Sequence, residues 1–374
     1  MHLPIVHKPR LVFKKDQAMT QNNPSSPRYH VEDMLTFGSA ILSASGLPKD
    51  RAKVVAEILL EGDLMGHTTH GFQLLGPYAD AAANGSMNTD GQISILRDNP
   101  ALMLWDGCWL PGPWLVQEAI KEAQKRAKIY GQASIVIRRS HHIASLASYL
   151  RAPAENGFYI TIATSDPAVA SVAPYGGRNP VYTPNPIAIG YPTQKDPVII
   201  DVSMSITTNG MSKRNFDNGN LFSHEWMLDA TGQPTRDPAV LFQQPSGSIL
   251  PMGGMDHGHK GFGLGLHVEA YTSALSGYGR ADQPSRWGAS LHIQVIDVEA
   301  AGGLESFTRE TQFLMDACLK SEPAKGQKGV RIPGSRGLAL RREQLQKGIQ
   351  FYDGIIEGLT EKATKYGILI PSAL

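Results

Sequence analysis

The feature that most constrains this chain is an alternation of strand-like and helix-like segments in its middle third. Ala101–Trp105 has a strand pattern and Pro113 to Tyr130 a helical one. Ala133–Ile137 is a short apolar run rich in β-branched residues. Ala144–Ala154 has a helical pattern broken by Pro153, and Tyr159–Ala163 is again strand-like. Leu115, Val116, Ala119, Ile120, Ala123 and Ala127 recur at helical spacing and therefore share one face. A β-α-β-α-β order predicts a parallel sheet joined by right-handed crossovers. Val198–Val202 and Leu291–Val298 add strands, and Gly261–Ser276, Leu304 to Leu319 and Tyr352 to Tyr366 add helices.

Upstream of this region two helices are expected. Val31, Met34, Leu35, Ile41 and Leu42 form one apolar face that Gly46 ends. Pro48 suits a first helical position, and Val54, Val55, Ile58 and Leu59 continue the second helix toward Gly66. A third helix follows His70, interrupted at Gly76-Pro77. Residues 1–28 read as a disordered leader, basic at Lys8, Arg10, Lys14 and Lys15 but without an apolar core, and Met19 is an alternative start. Met211 to Gln244 has little periodicity and many turn residues, so a long surface loop, partly a lid, is expected there.

Composition narrows the function classes. Across 374 residues the formal net charge is +1, which disfavours a nucleic-acid groove or a membrane surface, since both need an excess of Lys and Arg. The hydrophobic content of 41% with 18% charged residues is that of a folded chain. Cys108 and Cys318 are the only cysteines, too few for a disulfide scaffold or a Cys-rich metal site. No apolar run approaches the roughly 18 residues of a membrane helix. A cytoplasmic protein is expected.

Four polar loops stand beside apolar segments. Gly66-His67-Thr68-Thr69-His70-Gly71 pairs two imidazoles with hydroxyls between flanking glycines; imidazole suits proton transfer near neutral pH, and a neighbouring hydroxyl can fix the ring. Arg138-Arg139-Ser140-His141-His142 follows the strand Ala133–Ile137, and ligands bind at strand carboxyl ends in open α/β sheets. Pro174 to Pro186 precedes the strand ending at Asp201, which Ser203, Ser205, Thr207, Thr208 and Asn209 follow. A carboxylate there could orient a histidine or hold a ribose. Leu250 to Gly261, ending in His259-Lys260, reads as the amino end of the Gly261 helix, with Lys260 adding a full charge to a phosphate site.

The usual nucleotide fingerprints are missing: neither G-x-G-x-x-G between strand and helix nor G-x-x-x-x-G-K-[ST] occurs. Three readings stay open on residues alone. One is a dehydrogenase with an unusual nucleotide site. Another is a metal-dependent hydrolase built from His67/His70, His141/His142 and His257/His259 with Asp201 or Asp256. The third is a non-catalytic ligand-binding relative.

Taken together and in order, these loops resemble the type-2 malate/L-lactate dehydrogenase family, which includes malate/L-sulfolactate and ureidoglycolate dehydrogenases. Its Ser-His-Gly step is matched by Thr69-His70-Gly71, R-N-S-x-H by Arg138 to His142, and V-A-P-x-G-G by Val172 to Gly177. T-N-P-I-A is matched near Asn185-Pro186-Ile187-Ala188, D-M-[AS]-x-S by Asp201 to Ser205, L-P-x-G…H-K-G-x-G-L by Leu250 to Leu264, and R-x-P-G by Arg331 to Gly334. The resemblance implies an α/β fold that is not a Rossmann domain, with a large mixed sheet flanked by helices and helical terminal segments. It implies a helical segment over residues 29–100, a nucleotide-binding core over 101–300 and a helical segment over 301–374 packing with the amino-terminal part.

The same resemblance implies NAD or NADP as cofactor, no metal, a small-molecule substrate and a homodimer. It makes His70 the acid/base, with Thr69, Asp201 and His142 as further catalytic groups; Asp201 is expected to hold the His70 tautomer or the cofactor. Pro197, Asp201, Ser203, His259, Lys260, Gly334, Ser335 and Arg336 become cofactor contacts. The implied reaction is hydride exchange between nicotinamide and a 2-oxo or 2-hydroxy acid, or a cyclic imino acid. In the family pattern H-G-V-x-R the arginine is expected to clamp a carboxylate, but Leu74 stands there in this chain. Either Arg139 or Arg178 takes that role, or the substrate is less acidic than a dicarboxylate. Pro184 is additional, Arg139 stands where asparagine is common, and Arg336 where an acidic residue is common.

Overall fold

The apolar stripe of Leu115, Val116, Ala119, Ile120, Ala123 and Ala127 is fully buried in the helix Gly112–Tyr130 of a computed structural model that describes residues 26–374. The left-handed Gly131 (φ 81°) ends this helix, a conformation that costs glycine little. It joins the strands Leu102–Asp106 and Gln132–Ser140, which pair in parallel as one βαβ unit.

Beyond that unit the expected parallel sheet is corrected. The seven-stranded sheet is mixed, as the family resemblance implies. Its spatial order is Ser94–Asn99, Leu102–Asp106, Gln132–Ser140, Ala289–Asp297, Phe158–Ser165, Ile187–Tyr191 and Val198–Val202. The strand Ala289–Asp297 inserts antiparallel between Gln132–Ser140 and Phe158–Ser165. Those two strands do run the same way, but they never touch. Ala289–Asp297 is the buried centre of the sheet: Leu291, Ile293 and Val295 are wholly inaccessible. Its sequence still alternates, and the polar Ser290 and His292 are buried on the opposite face.

The alternating directions bring many chain reversals to one end of the sheet. Gln132–Ser140, Phe158–Ser165 and Val198–Val202 finish there, while Ile187–Tyr191 and Ala289–Asp297 begin there. The helices Val31–Ala44, Lys49–Leu64 and Leu75–Ala83 share a core with the sheet's helix-covered side, through Met34, Ile41, Val55, Leu59, Phe72 and Tyr78. Gly76-Pro77 opens the third helix rather than interrupting it, since Pro is tolerated in a first turn. The carboxyl-terminal helices Ser335–Lys347 and Ile355–Tyr366 bury Leu338, Ile355 and Leu359 in the same core.

Other expectations are adjusted. The region 211–244 is not a loop: Met227–Leu228, Pro234–Thr235 and Ser248–Ile249 form a small sheet over a separate core of Val172, Tyr182, Phe222, Val240 and Ile249. These strands are two residues long, too short to show a period. The segment after His142 forms a 3-10 turn, Leu146–Tyr149, and a short helix, Arg151–Glu155. Ser26 and Arg28, grouped with the leader, are held in place. Ser26 Oγ donates to Asp353, and Arg28–Tyr29 pairs with Ile349–Gln350. The rest of the expected leader and the Met19 start lie outside the described residues. No helix among the described residues is long and apolar enough to cross a membrane.

Candidate active site

A cleft of about 530 Å³ opens at the end of the sheet where the five strands converge. Each wall comes from a different part of the chain. His67, Thr69, His70 and Leu74 come from the turn after the helix Lys49–Leu64, and His142 to Leu146 from the end of the strand Gln132–Ser140. Thr164 and Asp166 end a second strand and Asp201 and Ser203 a third. Trp287 and Gly288 precede the central strand, and Thr208 to Met211 open the helix Asn209–Asp217. This is the end at which open α/β sheets place ligands.

His70 is held from three sides. Its Nδ1 lies 2.8 Å from Thr69 Oγ1, so Nε2 is the ring nitrogen left for the cleft. Asp63 accepts the Phe72 N–H at 2.6 Å and so ties down the backbone just after His70. Gly71 is required there, because a β-carbon would fall 2.3 Å from the Asp63 carboxylate. On the far side Arg214 donates to Thr68 Oγ1 at 2.8 Å and to Gln73 Oε1 at 2.5 Å, with its guanidinium 3.9 Å above the Tyr352 ring. Burial, then the neighbouring His67 and Arg214, push the His70 imidazole down to about 4. Sequence alone suggests an imidazole that titrates near neutral pH; its surroundings instead make His70 a neutral base in the free protein.

His142 stacks on His70 with ring centroids 5.9 Å apart and on Trp287 at 4.7 Å. Its Nδ1 lies 2.8 Å from Tyr78 Oη and accepts the Ala144 N–H at 3.3 Å. Tyr78 Oη also donates to the His142 carbonyl oxygen at 2.9 Å, so the tyrosine fixes both the ring and the backbone of this residue. Burial, with His70 and His141 nearby, holds His142 well below the usual imidazole range. Gly112 lets the helix start pass under this turn, since a β-carbon would lie 2.3 Å from the His142 carbonyl oxygen.

Asp201 departs from its expected partner. Its carboxylate accepts the Ala147 N–H at 3.0 Å, and the side chain that acts on it electrostatically is His67. The hydroxyl of Thr69, not this carboxylate, bonds His70. Burial raises Asp201, opposed by His67 and by the Ala147 bond. Asp166, also on the cleft wall, is pushed up to about 6, mainly by burial.

The structure thus gathers Thr69, His70, His142, Asp201 and Ser203 into one cleft. It sets the remaining candidates elsewhere. Arg139 grips the buried Asp106 at 2.6 Å with Arg138 beside it. Arg178 is directed to the Thr231 carbonyl, in the small second sheet region. Pro197 is buried at the start of the strand that ends at Asp201. Gly334 packs against Ile199 of that strand, where a β-carbon would meet Ile199 at 2.6 Å, with Ser335 and Arg336 following in the next helix. His259 and Lys260 are exposed on the helix Gly254–Glu269. Gly254–Glu269 is kinked at the non-helical His257 (φ −126°, ψ 16°), so Lys260 lies in the first turn of the longer helical piece, near the amino end expected for it.

Sequence reasoning missed Asp63, Tyr78, Asp166, Arg214 and Trp287. Tyr78 and Asp63 sit on core-facing helix positions that a periodicity argument assigns to packing, and no local signal marks the others. His67 belonged to a flagged motif but had a role only in the metal-dependent hydrolase reading. Among the described residues no three His, Cys, Asp or Glu side chains converge as a metal-binding group, so the three histidine pairs do not build a common centre.

The cleft suits the nicotinamide end of a dinucleotide. It offers flat walls at His142 and Trp287 against which a pyridine ring can stack, and Ser145 adds a buried hydroxyl that lacks a partner. No lysine or arginine lines it among the described residues.

A mixed sheet of this order, with a cleft at its strand ends, defines an α/β fold that is not a Rossmann domain. A profile of the malate/L-lactate dehydrogenase family matches residues 29–360, and the chain belongs to that family. Such membership implies a nicotinamide cofactor. The malate dehydrogenase of Pyrococcus abyssi is 28% identical over 346 residues, covering 90% of this chain and 94% of that one. The L-lactate dehydrogenase of Cupriavidus necator is 28% identical over 340 residues, covering 89% and 96%. The solved malate dehydrogenase of Pyrococcus horikoshii superposes with a TM-score of 0.83 at 26% identity, covering 95% of this chain and 99% of that one.

Proposed function

We propose that this protein interconverts a 2-oxo acid and its 2-hydroxy acid, or a cyclic imino acid and its amine, using NAD(H) or NADP(H), with His70 as the acid/base. The observation that carries the reading is the meeting of the Thr69–His70 pair with His142 in one cleft, although the two histidines are far apart in sequence. When bound, the reduced nicotinamide would supply a hydride to the substrate carbon.

The chain's own groups account for the rest. In the oxidative direction the neutral His70 takes the hydroxyl proton through Nε2 while Thr69 holds Nδ1. In reduction the same nitrogen returns a proton to the substrate oxygen. A developing negative charge there raises the affinity of the buried imidazole for that proton. His142, in the tautomer that carries its hydrogen on Nε2, would donate to the same oxygen without itself ionising. Asp201 and His67 act as a neighbouring pair that holds the Ala147 turn.

Cofactor contacts at Pro197, Asp201, Ser203, His259, Lys260, Gly334, Ser335 and Arg336, a homodimer and a cytoplasmic location belong to the same proposal. Sedimentation tests the assembly. The central test is a fluorescence titration with NADH and NADPH, followed by turnover on a panel of 2-oxo acids and a cyclic imino acid. Saturable binding of one coenzyme with reduction of at least one substrate supports the reading. Binding of neither rejects it.

A further inference from the structure

We propose that the cleft selects a monocarboxylic substrate whose far end carries no negative charge, and that Leu74 is the residue that enforces this choice. The inference rests on the oxidoreductase reading above and narrows it to a substrate class.

The charges around the cleft carry the argument. Its only acidic or basic wall residues besides histidines are two carboxylates, Asp166 and Asp201; no lysine or arginine lines it among the described residues. The nearby guanidiniums face elsewhere, and Arg286, which precedes the wall residue Trp287, lies over the Trp109 ring at 5.6 Å. Arg214 bonds Thr68 and Gln73 and covers Tyr352 on the edge of a separate cleft. Arg138 and Arg139 hold Asp106, and Arg280 holds Glu269 at 2.9 Å. A second carboxylate entering here would lose its water without meeting a cation, and it would face two acids.

One anion does have a place. The helix Asn209–Asp217 opens into the cleft, and Asn209 and Gly210 are on its wall. Thr208 Oγ1 accepts the Met211 N–H, while first-turn amides such as those of Asn209 and Gly210 have no acceptor within a helix. This end is next to the acid/base: a methyl group on Gly210 would lie 3.4 Å from Thr69 Cβ and 3.8 Å from His70 Cε1. Independently, Ser145, only 4% exposed and on the same wall, has an Oγ without a partner. A helix end and a spare hydroxyl suit one carboxylate beside the reacting carbon. Leu74 and Met211 add apolar surface to the same cleft and suit an alkyl or aryl remainder.

The test compares pyruvate, 2-oxohexanoate and oxaloacetate at saturating coenzyme, with kcat/KM for turnover and calorimetry for binding to the coenzyme-loaded protein. The wild type is expected to favour 2-oxohexanoate over oxaloacetate by about tenfold or more, and Leu74→Arg to raise oxaloacetate relative to 2-oxohexanoate by a similar factor. Leu74→Lys serves if the arginine variant does not fold. Oxaloacetate matching or exceeding 2-oxohexanoate in the wild type, or a folded variant with an unchanged ratio, overturns the inference while leaving the oxidoreductase reading intact. Tighter binding of 2-oxohexanoate without turnover of any acid supports the selectivity and rejects the hydride chemistry. Binding of none of the three overturns it.

Discussion

Thr69 Oγ1 stands 2.8 Å from His70 Nδ1, so two consecutive residues form a fixed hydroxyl–imidazole pair whose second nitrogen is left for chemistry. The bond decides which ring nitrogen can exchange a proton with a ligand. Thr69→Val keeps the shape and deletes the bond. Turnover should fall about two- to tenfold, the equivalent of one ordinary hydrogen bond, with coenzyme affinity unchanged. An undiminished kcat would remove Thr69 from the site.

His70→Ala deletes the acid/base itself. A single general acid or base contributes roughly a hundred- to ten-thousand-fold. Turnover should drop within that range in both directions, while NADH fluorescence titration gives a nearly unaltered dissociation constant. Wild-type turnover in the variant would reject His70 as the proton carrier.

Arg214 links the loop to a charge. It is the third influence that lowers His70, after burial and His67, and it also anchors Thr68 and Gln73 on either side. Removing a cation raises a neighbouring imidazole. In Arg214→Gln the acid limb of the kcat–pH profile for 2-hydroxy acid oxidation, which needs neutral His70, should therefore move to higher pH, whereas Arg214→Lys should hold it near the wild-type position. A stationary limb in the glutamine variant would mean that the guanidinium acts only as a mechanical clamp.

Asp63 predicts a pH dependence of stability. Burial raises its carboxyl to about 8, against the Phe72 bond and Arg214. Between the unfolded value near 3.8 and about 8 the folded state keeps a proton that the unfolded chain has lost, so this group's contribution declines as pH rises through that window. His70 works the other way: its lowered value removes stability as pH falls from about 6.5 toward 4. Asp63→Asn isolates the first effect, because an amide has no such proton. Urea midpoints at pH 5 and pH 8 should show the variant gaining on the wild type at the higher pH. Equal differences at both values would show that Asp63 is not held protonated.

What could be read along the chain was whatever repeats at short range. The helices Val31–Ala44, Lys49–Leu64 and Gly112–Tyr130 follow from apolar residues at helical spacing, because such residues can bury only on one common face. The histidine and hydroxyl loops were visible for a similar reason: polar groups crowded against apolar strands stand out locally. The family likeness added the sheet's mixed character, which strand patterns alone misassigned as parallel.

Tertiary structure decided the rest, because the forces involved join residues distant in sequence. The central strand Ala289–Asp297 chose its neighbours by burying both faces, and no pattern within it names Gln132–Ser140 or Phe158–Ser165 as partners. Asp201 meets Ala147 and the field of His67 rather than His70, and Arg139 is drawn to Asp106 rather than to a ligand. The sequence by itself determined that an imidazole with an adjacent hydroxyl would be present. Only the packing of strand ends from across the chain removed it from water, lowered its proton affinity and left around it a cleft without a lysine or arginine on its described walls. Desolvation and charge depend on what surrounds a group in space, and neither is written in the order of its neighbours along the chain.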